Sequence, residues 1–242
     1  MSDKPLGHHA YGSIGHLPGS RLGPADHTVD DNLCRLLTVE RRDKWDRVVI
    51  QEKYDGSACA AARLGDDILA LGRAGYLAVT SPYEQHQLFA AWVAERASLF
   101  RELLQPGERL VGEWLAQAHG TRYEITDADD AWIVFDLMTK HARATSAALI
   151  TRLGSRLHWP AFCFNQGRPM PPAAAFPMLG PQGCHHALDG PEGLVYRLER
   201  CDPRTKVWTH RAIAKWVRPD KVDGHYLPEI SGGEPVWNWR PA

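Results

Sequence analysis

Val48-Val49-Ile50-Gln51-Glu52-Lys53-Tyr54-Asp55-Gly56 is the stretch from which the rest of the chain can be read. Its first half is β-branched and apolar, the composition of a buried strand, and it ends in Asp-Gly, a strong turn dipeptide. On that ground alone Lys53 is a surface lysine in a hairpin. The same residues also combine a nucleophilic amine, a carboxylate two positions on, and a glycine that lets backbone approach a phosphate. A lysine so placed can carry a nucleotide covalently.

Outward from this stretch, short apolar runs separated by Gly and Asp recur at 47–52, 57–64, 67–73, 109–116, 131–138, 193–199 and 206–217. Runs of that length, with β-branched and aromatic residues, read as strands of largely antiparallel sheets. One helix stands out. Leu88, Phe89, Trp92, Val93, Leu99, Phe100, Leu103 and Leu104 recur at three- and four-residue intervals, and Ser81-Pro82-Tyr83-Glu84 reads as a capping box with proline at the first helical position. That aromatic stripe is core packing. A weaker helix is expected within 145–157, and 158–191, with seven prolines, is expected to be a long irregular connection. Residues 1–45, broken by Gly12, Gly15, Pro18, Gly19, Gly23 and Pro24, read as a loop-rich segment packed on or leading into 46–242, the whole forming one domain. Its His16, Arg21 and His27 either reach a phosphate or sit on a polar surface loop.

Hydrophobic residues make up 44% of the 242, enough for a real core. A formal charge of −1 excludes a global basic field, so any nucleic-acid binding must come from a local patch. The five cysteines (Cys34, Cys59, Cys163, Cys184, Cys201) are odd in number and form no Cys-x-x-Cys pair. With no secretory leader or bilayer-length apolar run in view, a reducing cytoplasm and no membrane association are expected. His119, His141, His158, His185 and His186 match no zinc spacing with the cysteines and are read as surface or satisfied core residues. Trp237-Asn238-Trp239 either stacks on bases or, more commonly for such residues, anchors a terminal segment.

Further candidates follow Lys53 in order: Arg73 in Leu71-Gly72-Arg73-Ala74-Gly75, Glu113 in Val111-Gly112-Glu113-Trp114, Phe135-Asp136 after Trp132-Ile133-Val134, Glu192 in Pro191-Glu192-Gly193-Leu194, and Lys215 in Ala214-Lys215-Trp216-Val217. The series resembles the successive motifs of the covalent nucleotidyltransferase superfamily of ATP-dependent DNA ligases, RNA ligases and mRNA capping enzymes, and looks closest to the RNA ligase branch. It spans roughly positions 11 to 218, and its specificity lies in six ordered matches. The resemblance implies an α+β fold, an adenylyltransferase (ATP-grasp-like ligase) domain of mainly antiparallel sheets flanked by helices.

It also implies roles. Lys53 becomes the nucleophile, with Asp55, Gly56 and Lys215 beside it. An attacking lysine must first lose its proton, so neighbouring cations such as Lys215, partial burial and a bound metal are expected to depress its pKa. Glu113 accepts a ribose hydroxyl or, on its own merits as a half-buried carboxylate, pairs with an arginine. Glu192, helped by Asp55, holds the hydration shell of Mg²⁺ or Mn²⁺. Phe135 stacks on the base, with Trp132 on the opposite side of the sheet; a lone phenylalanine on such a strand is otherwise core. Glu52 stands where relatives read the adenine edge, which points to ATP rather than GTP. Arg73 lies near ribose and phosphates, or is an ordinary strand-end cation. One departure stands out: relatives show Lys-x-Lys in the last motif, whereas Val217 follows Lys215 here, so Arg218 or Arg211 would supply the second cation.

Only 27 residues follow Lys215, too few for a five-stranded OB-fold, so a domain without one is expected. The function implied is an ATP-dependent RNA ligase that joins 5′-phosphate and 3′-hydroxyl ends through lysyl-AMP. Its RNA is duplexed or nicked, with DNA or a partner protein that supplies substrate binding as further options. Arg21, Arg122, Arg211 and Arg218 are the basic candidates at the mouth of the site. Two alternatives stay open: a non-sealing adenylyltransferase acting on another acceptor, and a non-catalytic nucleotide- or RNA-binding module.

Overall fold

The computed structural model describes residues 4–158 and 167–241. Nine strands fall into two sheets: β1 (Gly15–His16), β2 (Asp46–Lys53), β3 (Ser57–Leu64), β4 (Asp67–Gly72), β5 (Glu108–Trp114), β6 (Trp132–Thr139), β7 (Ala142–Arg143), β8 (Gly193–Cys201) and β9 (Trp208–Val217). One sheet runs β1-β9-β8-β2 and the other β4-β3-β5-β6-β7. All pairings are antiparallel except the short β1–β9 contact. The helices are α1 (Asp31–Thr38), α2 (Glu84–Glu95), α3 (Ala97–Leu103), α4 (Ser146–Leu153) and two single turns, α5 (Pro172–Ala175) and α6 (Pro228–Ser231). The fold is therefore α+β; the seven longer strands match the apolar runs to within a few residues, while the two-residue β1 and β7 were not anticipated.

Each sheet buries one face on its own core. Beneath β3, β5 and β6, the rings of Phe89, Trp92, Phe100, Trp114 and Trp132 pack with centroids 5.2–6.1 Å apart. Beneath β2 and β8, Val48, Ile50, Leu194, Tyr196 and Leu198 pack with Leu36 and Leu37 of α1. Val49 on the other face of β2 is also buried. Strands covered on both faces read as continuous apolar runs, which is why Val48-Val49-Ile50 shows no alternation. The two remaining faces, one from each sheet, enclose a cleft.

Four local expectations change. Asp55-Gly56 is not a hairpin turn: β2 pairs with β8, and β3 pairs with β4 and β5, so Lys53-Tyr54-Asp55-Gly56 carries the chain from one sheet to the other. The single helix of 84–104 is two, broken at Arg96 (φ −105°, ψ 19°). Position 96 falls on the apolar stripe, and the break lets its guanidinium lie over Trp92 at 4.5 Å and pair with Asp129 at 2.9 Å instead of entering the core. The helix starts at Glu84 with Tyr83 as its N-cap, so Pro82 is outside it; Ser81 Oγ accepts the Tyr83 N–H, while Glu84 pairs with Arg240 rather than closing a capping box. Within 1–45, the segment Asp31–Thr38 is a helix capped by Asp30, whose carboxylate accepts the Leu33 N–H.

The weaker helix forms over Ser146–Leu153, capped by Thr145. The proline-rich connection includes α5 and a 3₁₀ turn, Phe176–Leu179, and its 159–166, with Cys163, lie outside the described residues. Cys34, Cys59, Cys184 and Cys201 are free thiols. Trp237 and Trp239 pack against the first core, in keeping with an anchoring role for the terminal segment. Among the described residues, no helix is long and apolar enough to cross a membrane.

Candidate active site

The cleft between the sheets has a cavity volume of about 140 Å³ and is lined by Glu52, Lys53, Arg73, Glu113, Phe135 and Lys215, among others. These six come from β2, β5, β6, β9 and the turn after β4. Glu192, just before β8, ion-pairs with the Lys53 amine, so it belongs to the same site. Asp55 lies behind it: its carboxylate accepts the Gly120 N–H at 2.9 Å and pairs with Lys221 at 2.8 Å. Gly56 donates its N–H to Glu113 Oε1 at 3.2 Å. A side chain at Gly56 would meet the Trp114 carbonyl 2.4 Å from its Cβ, so the glycine is needed to seat the crossover against β5 rather than to admit a phosphate.

Electrostatics at Lys53 run opposite to the sequence-based expectation. Burial opposes the ammonium, but the carboxylates of Glu192, Glu113 and Asp55 outweigh it, and the Lys53 pKa is raised. The protein's own charges therefore hold this amine protonated. Burial lifts both Glu113 and Glu192 to about 7, against the pull of Lys53. The Lys215 pKa is lowered, by burial and by the Lys53 charge. Asp26 holds it at 3.5 Å and also reaches the buried His16 at 3.1 Å. His16 is thus part of the support for Lys215, while the exposed His27 makes no ion pair among the described residues.

Glu52 is buried, and burial raises its pKa. One carboxylate oxygen accepts the Cys184 N–H at 2.6 Å, while the other, Oε1, is buried with no hydrogen-bond partner. Gly183, at φ +62°, lets the loop close over it, since any Cβ there would sit 2.1 Å from Oε1.

Phe135 is the half-open member of an otherwise buried strand, with only the terminal Thr139 more exposed, and it faces the cleft while Trp132 faces the helices. Its neighbour Asp136 differs in role, bound to Tyr11 and Arg197, which line the same cleft. Buried to 1% exposure, Asp136 accepts Arg197 at 2.7 Å, the Tyr11 hydroxyl at 2.7 Å and Arg143 at 3.2 Å. Arg197 also donates to Gln51 and to the Phe135 carbonyl, both at 2.8 Å. Asp136 is thus the anchor that fixes β6 to β8 and to the N-terminal segment, and Tyr11 meets the Phe135 ring edge-on at 5.1 Å.

Sequence reasoning missed Tyr11, Arg197 and Lys221. Val217, where the second motif lysine was expected, is buried. Neither Arg211 nor Arg218 lines the cleft, and Arg218 instead donates to the Asp189 carbonyl and pairs with Asp220. A buried cation, Lys221, lies four residues on at 2% exposure, tied to Asp55 and Thr121. No local spacing announces it. Arg21 and Arg122, two other basic candidates, pair with Asp223 and Asp189.

The family model described as RNA ligase matches residues 46–217. Among solved structures, the chain is similar to an archaeal ATP-dependent RNA ligase in two forms. Form 2 shares 21% identity, with 71% of this chain and 42% of that chain covered (TM-score 0.45), and form 1 shares 18%, with 86% and 48% covered (TM-score 0.49). The Naegleria gruberi RNA ligase with PPi shares 18% identity, with 90% and 62% covered (TM-score 0.48). The chain spans about half the length of the archaeal ligases. No curated protein matches the sequence. The family match runs from the first residue of β2 to the last of β9, and the chain belongs to the RNA ligase family.

Proposed function

We propose that this chain joins RNA ends in an ATP-dependent reaction that passes through an AMP bound covalently to Lys53. The observation that carries this reading is the convergence of Lys53, Glu113, Phe135, Glu192 and Lys215, from separate strands, on one cleft and its floor. In the first step the Lys53 amine attacks the α-phosphorus of ATP; a P–N bond forms, the bond to the bridging oxygen breaks, and pyrophosphate leaves. A 5′-phosphate oxygen of RNA then takes the AMP from Lys53, and a 3′-hydroxyl attacks that 5′-phosphorus with AMP as the leaving group. Lys215 meets charge developing on the α-phosphate, and Glu113 takes a ribose hydroxyl. Glu52 Oε1 accepts from the adenine amine, and Phe135 stacks on the ring.

Glu192 and Asp55 are the residues that would hold Mg²⁺ or Mn²⁺, hard oxygen donors that suit an ion which keeps several waters. Such an ion supplies positive charge that neutralises the triphosphate and competes for the carboxylate that holds Lys53 protonated. Duplexed or nicked RNA is the substrate expected, read by shape and 2′-hydroxyls. The buried Val217 favours one second reading, an adenylyltransferase that does not seal.

Mixing the protein with labelled ATP and Mg²⁺, then denaturing it, is expected to leave AMP attached at Lys53 and none in Lys53→Ala. A wild type that stays unlabelled after removal of pre-bound AMP, or a Lys53→Ala variant that labels, overturns the proposal. Phe135→Ala is expected to raise KM for ATP about ten- to hundredfold with kcat little changed, because stacking binds ground and transition states alike. Were Phe135 merely core, the variant would lower the melting temperature and leave the ATP dependence alone.

A further inference from the structure

A second cavity of about 750 Å³ opens beside the cleft and shares Tyr11, Gly12 and Arg73 with it. Six of its lining residues are basic: His8, His9, Arg73, Arg109, His141 and Arg143. No Asp or Glu lines it. Arg109 is 2% exposed yet meets no carboxylate; it donates to the Ala10 carbonyl at 2.8 Å, the Lys140 carbonyl at 2.7 Å and the Met138 sulfur. Nearby carboxylates are already committed. Asp136 is shared by Arg197, Arg143 and the Tyr11 hydroxyl, and Glu199 by Arg47 and the Ser146 N–H. Of the two buried or half-buried guanidiniums that line the cavity, Arg143 therefore shares its one carboxylate, Asp136, with Arg197, and Arg109 has none; a buried cation without a counter-charge is costly unless an anion joins it.

We propose that this cavity binds backbone phosphates of an RNA strand whose end reaches Lys53, an inference that rests on the RNA-joining reading above. A single inorganic anion is far smaller than the cavity, and the shared wall at Tyr11 and Arg73 makes the two spaces continuous, as a strand crossing both requires. The phosphates are held by charge and position, with Arg143 over the Tyr11 ring at 4.9 Å and Arg73 fixed by Ser13 at 3.3 Å.

The test measures binding of a labelled 5′-phosphorylated RNA, single-stranded and nicked duplex, to the full chain across a salt series. Arg143→Gln and the exposed-site variant His141→Glu are expected to weaken binding about tenfold, with the log–log salt slope for Arg143→Gln shallower by about one. His141→Glu should form lysyl-AMP from ATP as the wild type does. RNA binding unchanged in His141→Glu, and in Arg143→Gln if it folds, overturns the proposal. So does a loss confined to pyrophosphate, added as competitor, which would assign the cavity to the leaving group. Loss of RNA binding in the variants of a protein that never forms lysyl-AMP would instead leave the subsite standing and overturn the ligation reading.

Discussion

Glu192→Gln is expected to slow lysyl-AMP formation by about 10²–10³-fold, the scale for removing one preorganised charge from a phosphoryl-transfer site. The substitution keeps shape and hydrogen-bonding capacity and removes only the charge, at a residue 5% exposed beside the Lys53 amine. Two effects oppose each other. Without this partner the Lys53 pKa falls, since Glu192 is the leading source of its upward shift, which helps the amine lose its proton. The metal that Glu192 is proposed to hold would, however, lose its main carboxylate. Glu113 and Asp55 still favour the ammonium, so the gain at Lys53 is partial and the loss prevails. Single-turnover rates against pH separate the two: the plateau collapses while the alkaline rise moves to lower pH. A variant with the wild-type plateau would remove Glu192 from the chemistry, and a collapse without a shift of the pH limb would deny its control of Lys53.

The largest stability effect is expected at Asp136→Ala, which should cost about 3–5 kcal/mol and lower the melting temperature by roughly 6–20 °C. The carboxylate lies at 1% exposure and is the shared acceptor of Arg197, Arg143 and Tyr11. Its removal leaves the 2%-exposed Arg197 uncompensated in the interior, and an unpaired buried charge is more costly than a lost pair. Because Arg197 also holds the Phe135 carbonyl, the cleft wall should loosen with the fold, and ATP binding should weaken together with stability. Thermal melts of wild type and variant check this directly; a drop of only a degree or two would mean that the network is solvated and the anchor role mistaken.

Positions in strands were legible because burial imposes a local pattern. Val48-Val49-Ile50, Trp132-Ile133-Val134 and Leu194-Val195-Tyr196 each carry the composition of a covered strand, and all three are strands in the molecule. The residues that meet in the cleft were legible for another reason, the order of short motifs, each of which is contiguous in the chain. The broken helix at Arg96 shows the limit of that legibility. The stripe on either side was visible, but the partner that makes the break worthwhile, Asp129, is 33 residues away.

What the sequence by itself determined was the seven longer strands, the α+β class and the candidates Lys53, Glu113, Phe135, Glu192 and Lys215, all encoded in runs of a few residues. Tertiary structure alone decided that Lys53-Gly56 bridges two sheets, that Asp136 anchors β6 to β8, that Lys221 pairs with Asp55, and that the surrounding carboxylates raise the Lys53 pKa. These are properties of pairs such as Tyr11 with Asp136, Lys53 with Glu192 and Asp55 with Lys221, which lie 125, 139 and 166 residues apart. Charge balance and hydrogen bonding depend on distance in space, and no periodicity along the chain records it.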